Sequence, residues 1–183
     1  MRRCLAISAG CLLLLDLVGL AAGQPPHIVD DTRLKEADRD GANWVMYGRT
    51  YDDHRFSLLT QINEQSIARL GLVWSRELGT TRGLEATPLV EDGVIYTTGS
   101  WSVVYALDAK TGAVRWTYDP RVDRGRVAYF VCCDVVNRGV ALWKGKVFVG
   151  AYDGRLIALD AVTGAKVWEK DTIIDHKHSY TIT

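Results

Sequence analysis

Several absences narrow the field before any motif is considered. Charge of one sign is missing: 22 basic and 22 acidic side chains give a formal net charge of zero. There is no basic stripe or block of like charge, so neither a nucleic acid nor an anionic membrane surface is indicated as partner. The chain has no Gly-x-Gly-x-x-Gly run and no phosphate-binding loop, which argues against nicotinamide and nucleotide cofactors. It has no Cys-x-x-Cys-His segment for covalent haem attachment. No apolar run reaches the roughly 20 residues that a membrane-spanning helix needs. Cysteine is scarce too, with four in 183 residues.

The nearest approach to a long apolar run lies at the start. Arg2 and Arg3 precede the stretch from Leu12 to Ala22, and Ala21-Ala22-Gly23 supplies small residues before Gln24. A basic start, apolar middle and small-residue exit read as a secretory signal peptide over residues 1–23, with Asp16 as a blemish. Its removal would take away Cys4 and Cys11 and leave Cys132 and Cys133 side by side. Residues 24–42 read as a leader segment with one short helix around Thr32 to Ala37. From Asn43 onward, short apolar runs broken by Gly and Asp signal strands and turns.

An internal repeat sets the architecture. The run from Ala106 to Trp116 (ALDAKTGAVRW) recurs from Ala158 to Trp168 (ALDAVTGAKVW), identical at eight of eleven positions and 52 residues away. Upstream, Asp92-Gly93-Val94-Ile95-Tyr96 aligns with Lys144-Gly145-Lys146-Val147-Phe148 at the same offset, and a fainter third copy ends at Leu72-Val73-Trp74. Each copy reads as three strands, the last ending in Trp. Asp108 and Asp160 are suited to bond the backbone two residues on, and Gly112 and Gly164 to accept positive φ. Repeats of this length built from short strands point to propeller blades, with each Trp an apolar plate between neighbours and its ring N–H seeking a carbonyl. The alternative is a β-sandwich with Trp116 and Trp168 as ordinary core residues. The expected fold is therefore all-β, a partial β-propeller. Two to three blades fit between Asn43 and Thr183, fewer than the four or more of closed propellers, so the chain reads as a fragment.

The repeat Ala-Leu-Asp-Ala-x-Thr-Gly-x-x-x-Trp resembles the tryptophan-docking motif of quinoprotein propellers. Asn43-Trp44-Val45-Met46-Tyr47-Gly48-Arg49 through Arg55-Phe56-Ser57 to Gln61-Ile62-Asn63 resembles the opening of the methanol and ethanol dehydrogenase family, Gly83-Leu84-Glu85-Ala86-Thr87-Pro88 its first cofactor-facing turn, and Cys132-Cys133-Asp134-Val135-Val136-Asn137-Arg138-Gly139 its most distinctive motif. The resemblance implies an eight-bladed propeller holding pyrroloquinoline quinone (PQQ) and one Ca²⁺. It implies oxidation of primary alcohols to aldehydes in the periplasm, with electrons passed to a cytochrome or a membrane quinone. A carboxylate base would take the alcohol proton while hydride moves to a quinone carbonyl polarised by Ca²⁺. The base and the Ca²⁺ ligands are expected beyond Thr183. Within this chain Glu85 would bond the quinone's polar edge, Cys132 and Cys133 would form a ring disulfide flat against it, and Arg138 would pair with a cofactor carboxylate. Thr183 would be a further polar contact, with Thr181 as its fallback.

The residues themselves leave alternatives open. Neighbouring Cα atoms lie about 3.8 Å apart, below the usual disulfide range, so a 132–133 bond would be strained and would close no chain loop; two buried free thiols are the other reading. Arg138 suits a carboxylate bidentately, but a salt bridge to Asp134 or another acid would satisfy it equally. Glu85 could be a solvated turn residue. Asp30-Asp31 and Asp52-Asp53-His54 read as solvated turns, and His176 and His178 as loop residues without partners at metal spacing. A non-catalytic scaffold such as an outer-membrane assembly adaptor is the rival function, and would need neither the cysteines, Glu85 nor Arg138. Sugar-oxidising quinoproteins are a nearer rival, but the resemblance to them lacks the adjacent cysteines.

Overall fold

A computed structural model describes residues 28–127, 134–175, 177 and 180–182. Their framework is two four-stranded antiparallel sheets, each a simple meander. The first runs β1 (Leu89–Glu91), β2 (Val94–Thr98), β3 (Val104–Asp108) and β4 (Val114–Tyr118). The second runs β5 (Ala141–Trp143), β6 (Lys146–Gly150), β7 (Arg155–Asp160) and β8 (Lys166–Asp171). Two such blades side by side are the partial propeller that the repeat announces. Each blade holds four strands rather than three. The extra ones, β1 and β5, are only three residues long and too short to show an alternating pattern.

The hairpins turn on Asp92-Gly93 and Lys144-Gly145, where both residues of each pair have positive φ. Such two-residue turns match the twist of the strands they join. The repeat also preserves a bulge. Register shifts between Ala106 and Leu107 in the first blade and between Ala158 and Leu159 in the second. Each bulge leaves a Trp directly opposite a fully buried alanine, Trp116 opposite Ala106 and Trp168 opposite Ala158. A small residue there leaves the indole room.

The core lies between the sheets. Leu89, Val94, Tyr96, Val104 and Ala106 of the first pack with Leu142, Val147, Val149, Ile157 and Leu159 of the second. The strand far from this seam pays for its position in exposure: every residue of β8 is exposed.

The leader joins this core. Val29 is buried within it, and its carbonyl accepts a hydrogen bond from Lys144 N at 2.8 Å. Trp44 bridges Val90 of β1 through two backbone bonds of 2.9 Å. Between them α1 (Asp31–Lys35) places Arg33 against Glu91 at 3.3 Å and Asp92 at 2.8 Å. The helix is shorter than the expected Thr32 to Ala37. Asp30, expected in a solvated turn, is its N-cap and accepts from Arg33 N at 2.9 Å. A carboxylate there satisfies one of the free N–H groups of the first turn.

Candidate functional site

The interface between blades is built from the repeated motif. Asp108 Oδ1 accepts from Lys110 N, Thr111 N and the Thr111 hydroxyl, and Asp160 repeats the arrangement with Val162 and Thr163. These turns present a carbonyl and a glycine to the neighbouring Trp. Trp116 Nε1 donates to Ala161 O at 3.0 Å, and a Cβ on Gly164 would lie 2.6 Å from the Trp116 ring. Trp74 does the same one blade earlier, donating to Ala109 O at 3.2 Å, with Gly112 under its ring. The third copy therefore docks as its tryptophan implies, although residues 71–78 carry no strand assignment.

The second place where the blades meet holds the residues expected to face a cofactor. The segment entering β1 and the segment entering β5 lie together, joined by a backbone bond from Thr87 N to Arg138 O at 3.1 Å. Gly139 makes this approach possible: its φ is +130°, and a Cβ would sit 3.1 Å from Thr87 O. Two ion pairs of opposite sense cross the same junction. Arg138 approaches Glu85 at 3.6 Å, both side chains about half exposed. Arg82 grips Asp134 with both ends of its fork, Nε reaching Oδ2 at 3.1 Å. That guanidinium holds the Asp134 carboxyl below the usual carboxylate range, against the opposing effect of partial burial. Two of the five expected cofactor contacts, Glu85 and Arg138, are thus brought together. The acid beside Arg138 is Glu85, while Asp134 belongs to Arg82.

Beneath the exposed pairs lies a buried polar layer. Asn137 is 2% exposed; its amide donates to Ser102 Oγ at 3.1 Å and Gly150 O at 2.8 Å, and its side-chain oxygen accepts from Gly139 N at 3.0 Å. Thr98 Oγ1 donates to Asn137 O at 3.3 Å, and Tyr152 OH donates to Asp134 O at 2.5 Å. Burial pushes the Tyr152 phenol up, keeping it a donor. Cys132, Cys133 and Thr183 lie outside the described residues, as do His176 and His178. Among the described residues no group of three or more His, Cys, Asp or Glu side chains could hold a metal ion.

Arg82, Ser102 and Asn137 were not singled out from the sequence as site residues. Arg82 meets a partner 52 positions away and Asn137 one 35 positions away, separations with no local periodicity to reveal them. Asn137 alone carried a signal, its place inside the Asp134 to Gly139 motif. Chemically, the junction can offer a positive charge to an anionic group. It offers a guanidinium with half its surface in solvent, on a backbone fixed from both sides.

A propeller with tryptophan-docked blades and an Arg-Glu pair at the junction of two blades defines the class, and the comparisons give it a family. The family model for the glucose/ethanol/alcohol dehydrogenase β-propeller domain, the PQQ domain, matches residues 44–179, and the chain belongs to this family. It is 55% identical over 179 residues to quinohemoprotein alcohol dehydrogenase ADH-IIG of Pseudomonas putida, covering 96% of this chain and 25% of that protein. The solved structure of ADHIIG from Pseudomonas putida HK5 superposes with a TM-score of 0.83 at 57% identity, over 86% of this chain and 23% of that one. The 1-butanol dehydrogenase (cytochrome c) of Thauera butanivorans is 55% identical over 145 residues, 78% of this chain and 20% of that protein. A europium-containing methanol dehydrogenase matches with a TM-score of 0.72 at 39% identity, over 78% of this chain and 25% of that one. The chain spans about a quarter of the length of these relatives.

Proposed function

We propose that this chain forms the opening blades of a PQQ-dependent alcohol dehydrogenase and contributes part of its cofactor site. The observation that carries the reading is the junction where Glu85 and Arg138 meet at 3.6 Å, on neighbouring segments of a propeller whose relatives are quinohemoprotein alcohol dehydrogenases. The Arg138 guanidinium binds a cofactor carboxylate through its planar fork. Glu85 orients that fork and offers an acceptor to the polar edge of the ligand. Cys132 and Cys133 supply a flat sulfur shelf if bonded to each other, and Thr183 a further polar contact. When bound, PQQ supplies the electrophilic carbonyl that takes up the electrons removed from the alcohol.

A metal ion accompanies the quinone; Ca²⁺ is the proposed ion, with ligands from outside this chain, while the europium of one neighbour makes a lanthanide the competitor to test. The substrate is a small primary alcohol and the acceptor a cytochrome c, in keeping with the name of the butanol-oxidising relative; a membrane quinone is the other acceptor to assay. Export to the periplasm through residues 1–23 rests on the order of Arg2-Arg3, the apolar run and the small-residue exit. N-terminal sequencing of the mature protein should then begin at Gln24. The segment 24–42 would be the leader of the mature chain and residues 43–183 the opening blades.

The test is reconstitution of the full-length polypeptide with PQQ and either Ca²⁺ or a lanthanide. Alcohol-dependent reduction of an artificial electron acceptor is expected, together with at least about a tenfold loss of PQQ affinity in Arg138→Ala, the scale of a lost charge-assisted pair. A full-length protein that neither binds PQQ nor reduces the dye would leave the scaffold reading in its place.

A further inference from the structure

We propose that Asn137 is a positioning residue for Arg138, and that the left-handed turn at Trp101-Ser102 serves to hold Asn137 in place. The proposal rests on the reading of Arg138 as a cofactor contact and adds how its backbone is aimed. Asn137 fixes both flanks of Arg138. On one side its own carbonyl accepts from Thr98 Oγ1. On the other its side-chain oxygen accepts from Gly139 N, so the amide folds round Arg138 and pins the following residue. The remaining donors go to Ser102 Oγ and Gly150 O. An amide fits this pocket because both a donor and an acceptor are required; aspartate would turn an acceptor toward the Gly150 carbonyl.

The turn that receives Asn137 is costly in conformation. Trp101 and Ser102 have φ of 63° and 60°, two successive non-glycine residues in the left-handed region. Such strain persists only where the surroundings over-determine it. Here the surroundings are Val122 and the Arg124 guanidinium, 5.3 Å from the Trp101 ring, together with the Arg138-bearing segment. Trp101 N donates to Val135 O at 2.9 Å, and Ser102 Oγ accepts from Asn137 and from Tyr152 N at 3.0 Å. Tyr152 lies edge-on to the Trp101 ring at 5.8 Å, and its hydroxyl reaches Asp134 O. The strained turn thus touches residues 134, 135 and 137, directly or through Tyr152. At the matching turn of the second blade Gly154 is left-handed at φ 83° but Asp153 is not, so a left-handed pair is more than a blade turn requires. What that pair adds is a fixed backbone for residues 134–139.

The experiment is a double-mutant cycle in the full-length polypeptide, titrated with PQQ and followed by quenching of tryptophan fluorescence. Ser102→Gly removes the hydroxyl while easing the left-handed backbone, and so keeps the test usable if Asn137→Ala fails to fold. Each is combined with Arg138→Ala, with thermal unfolding measured in parallel. In the Arg138 background Ser102→Gly should weaken PQQ binding about tenfold, and in the Arg138→Ala background less than about twofold, the coupling expected of groups acting through one contact. Equal losses in both backgrounds, or no loss in the first, would overturn the positioning role even with the cofactor site intact. Unchanged PQQ affinity in Arg138→Ala alone would instead overturn the cofactor reading beneath it.

Discussion

The two places where the blades meet are built on opposite plans. At the outer joint one indole sits on one glycine, beneath a carbonyl fixed by an aspartate turn. The Asp-turn-Gly units that receive the indoles repeat 52 residues apart, and the bonds are either local or between like pieces of the repeat. At the inner junction, where segments 82–87 and 134–139 meet, nothing repeats. Arg82, Glu85, Asp134 and Arg138 carry charges in solvent, above a layer where Ser102 and Asn137 are buried. The first joint stores stability in apolar area and shape. The second spends its polar groups on holding a backbone still. Exposed ion pairs contribute little to stability, so the inner pairs are better explained by what they orient than by what they stabilise.

The largest effects should fall on the outer joint. Trp116→Ala removes a ring packed against Gly164 and Tyr96 together with its bond to Ala161 O, and should cost about 3–5 kcal/mol. Trp168→Ala is the control in this chain, because Trp168 remains 39% exposed with Phe148 beside it; about half that loss is expected, in keeping with the area it buries. Equal losses in chemical denaturation would mean that the docking contact adds nothing to the Trp's place within its own sheet.

A pair of glycines separates conformational freedom from space. Gly93 and Gly164 have φ of +77° and +72°, yet a Cβ meets nothing within 4 Å at Gly93 and lies 2.6 Å from the Trp116 ring at Gly164. Gly93→Ala should therefore cost about 1–2 kcal/mol, the left-handed penalty alone. Gly164→Ala should exceed it by a further 1–3 kcal/mol or so, the range of overpacking, since the indole must move. If the two melt alike, the indole has room that its position over Gly164 denies.

This contrast also explains what could be read from the residues alone. The blade repeat, the docking Trp and the Asp-turn-Gly unit were legible because each is a short pattern stated at least twice. β1 and β5 were not, being strands of three residues whose pairing comes from β2 and β6. The helix cap at Asp30 was hidden because Asp30-Asp31 carries the composition of a turn as well as of a helix start. At the inner junction Glu85 and Arg138 could be named only through a resemblance to other proteins. That they face each other, that Asp134 belongs to Arg82, and that Asn137 lies beneath them all depend on contacts spanning 35 to 53 residues.

Acid should also distinguish the two plans. At the outer joint the Arg115 guanidinium, then the Thr111 hydroxyl, holds the Asp108 carboxyl down to about 2, and Asp160 is lowered chiefly by the Thr163 hydroxyl. Carboxyls depressed in the folded state contribute stability that is complete above their ordinary value, near 4, and lost as pH falls toward 2. Asp108→Asn should therefore be less stable than the parent at pH 7, with the gap closing between about pH 4 and 2. A gap that stays constant through that window in urea titrations would assign the loss to the turn's shape rather than to the Arg115 pair.

The smallest effect is a gain. The β5–β6 turn places Lys144 at φ 46°, whereas its counterpart in the first blade, at φ 46°, is Asp92. Two-residue turns of this geometry favour Asn or Asp before Gly, because a short polar side chain tolerates the left-handed region. Lysine's compensation is a position 5.4 Å from the Trp143 ring, a contact worth little at an exposed site. The backbone bond from Lys144 N to Val29 O survives any side chain. Lys144→Asn should thus raise stability by about 0.5–1 kcal/mol, bringing the second blade's turn toward the first. A loss on thermal unfolding would mean that the ammonium over Trp143 matters more than the backbone it strains, and that the two blades differ at this turn for a reason of packing.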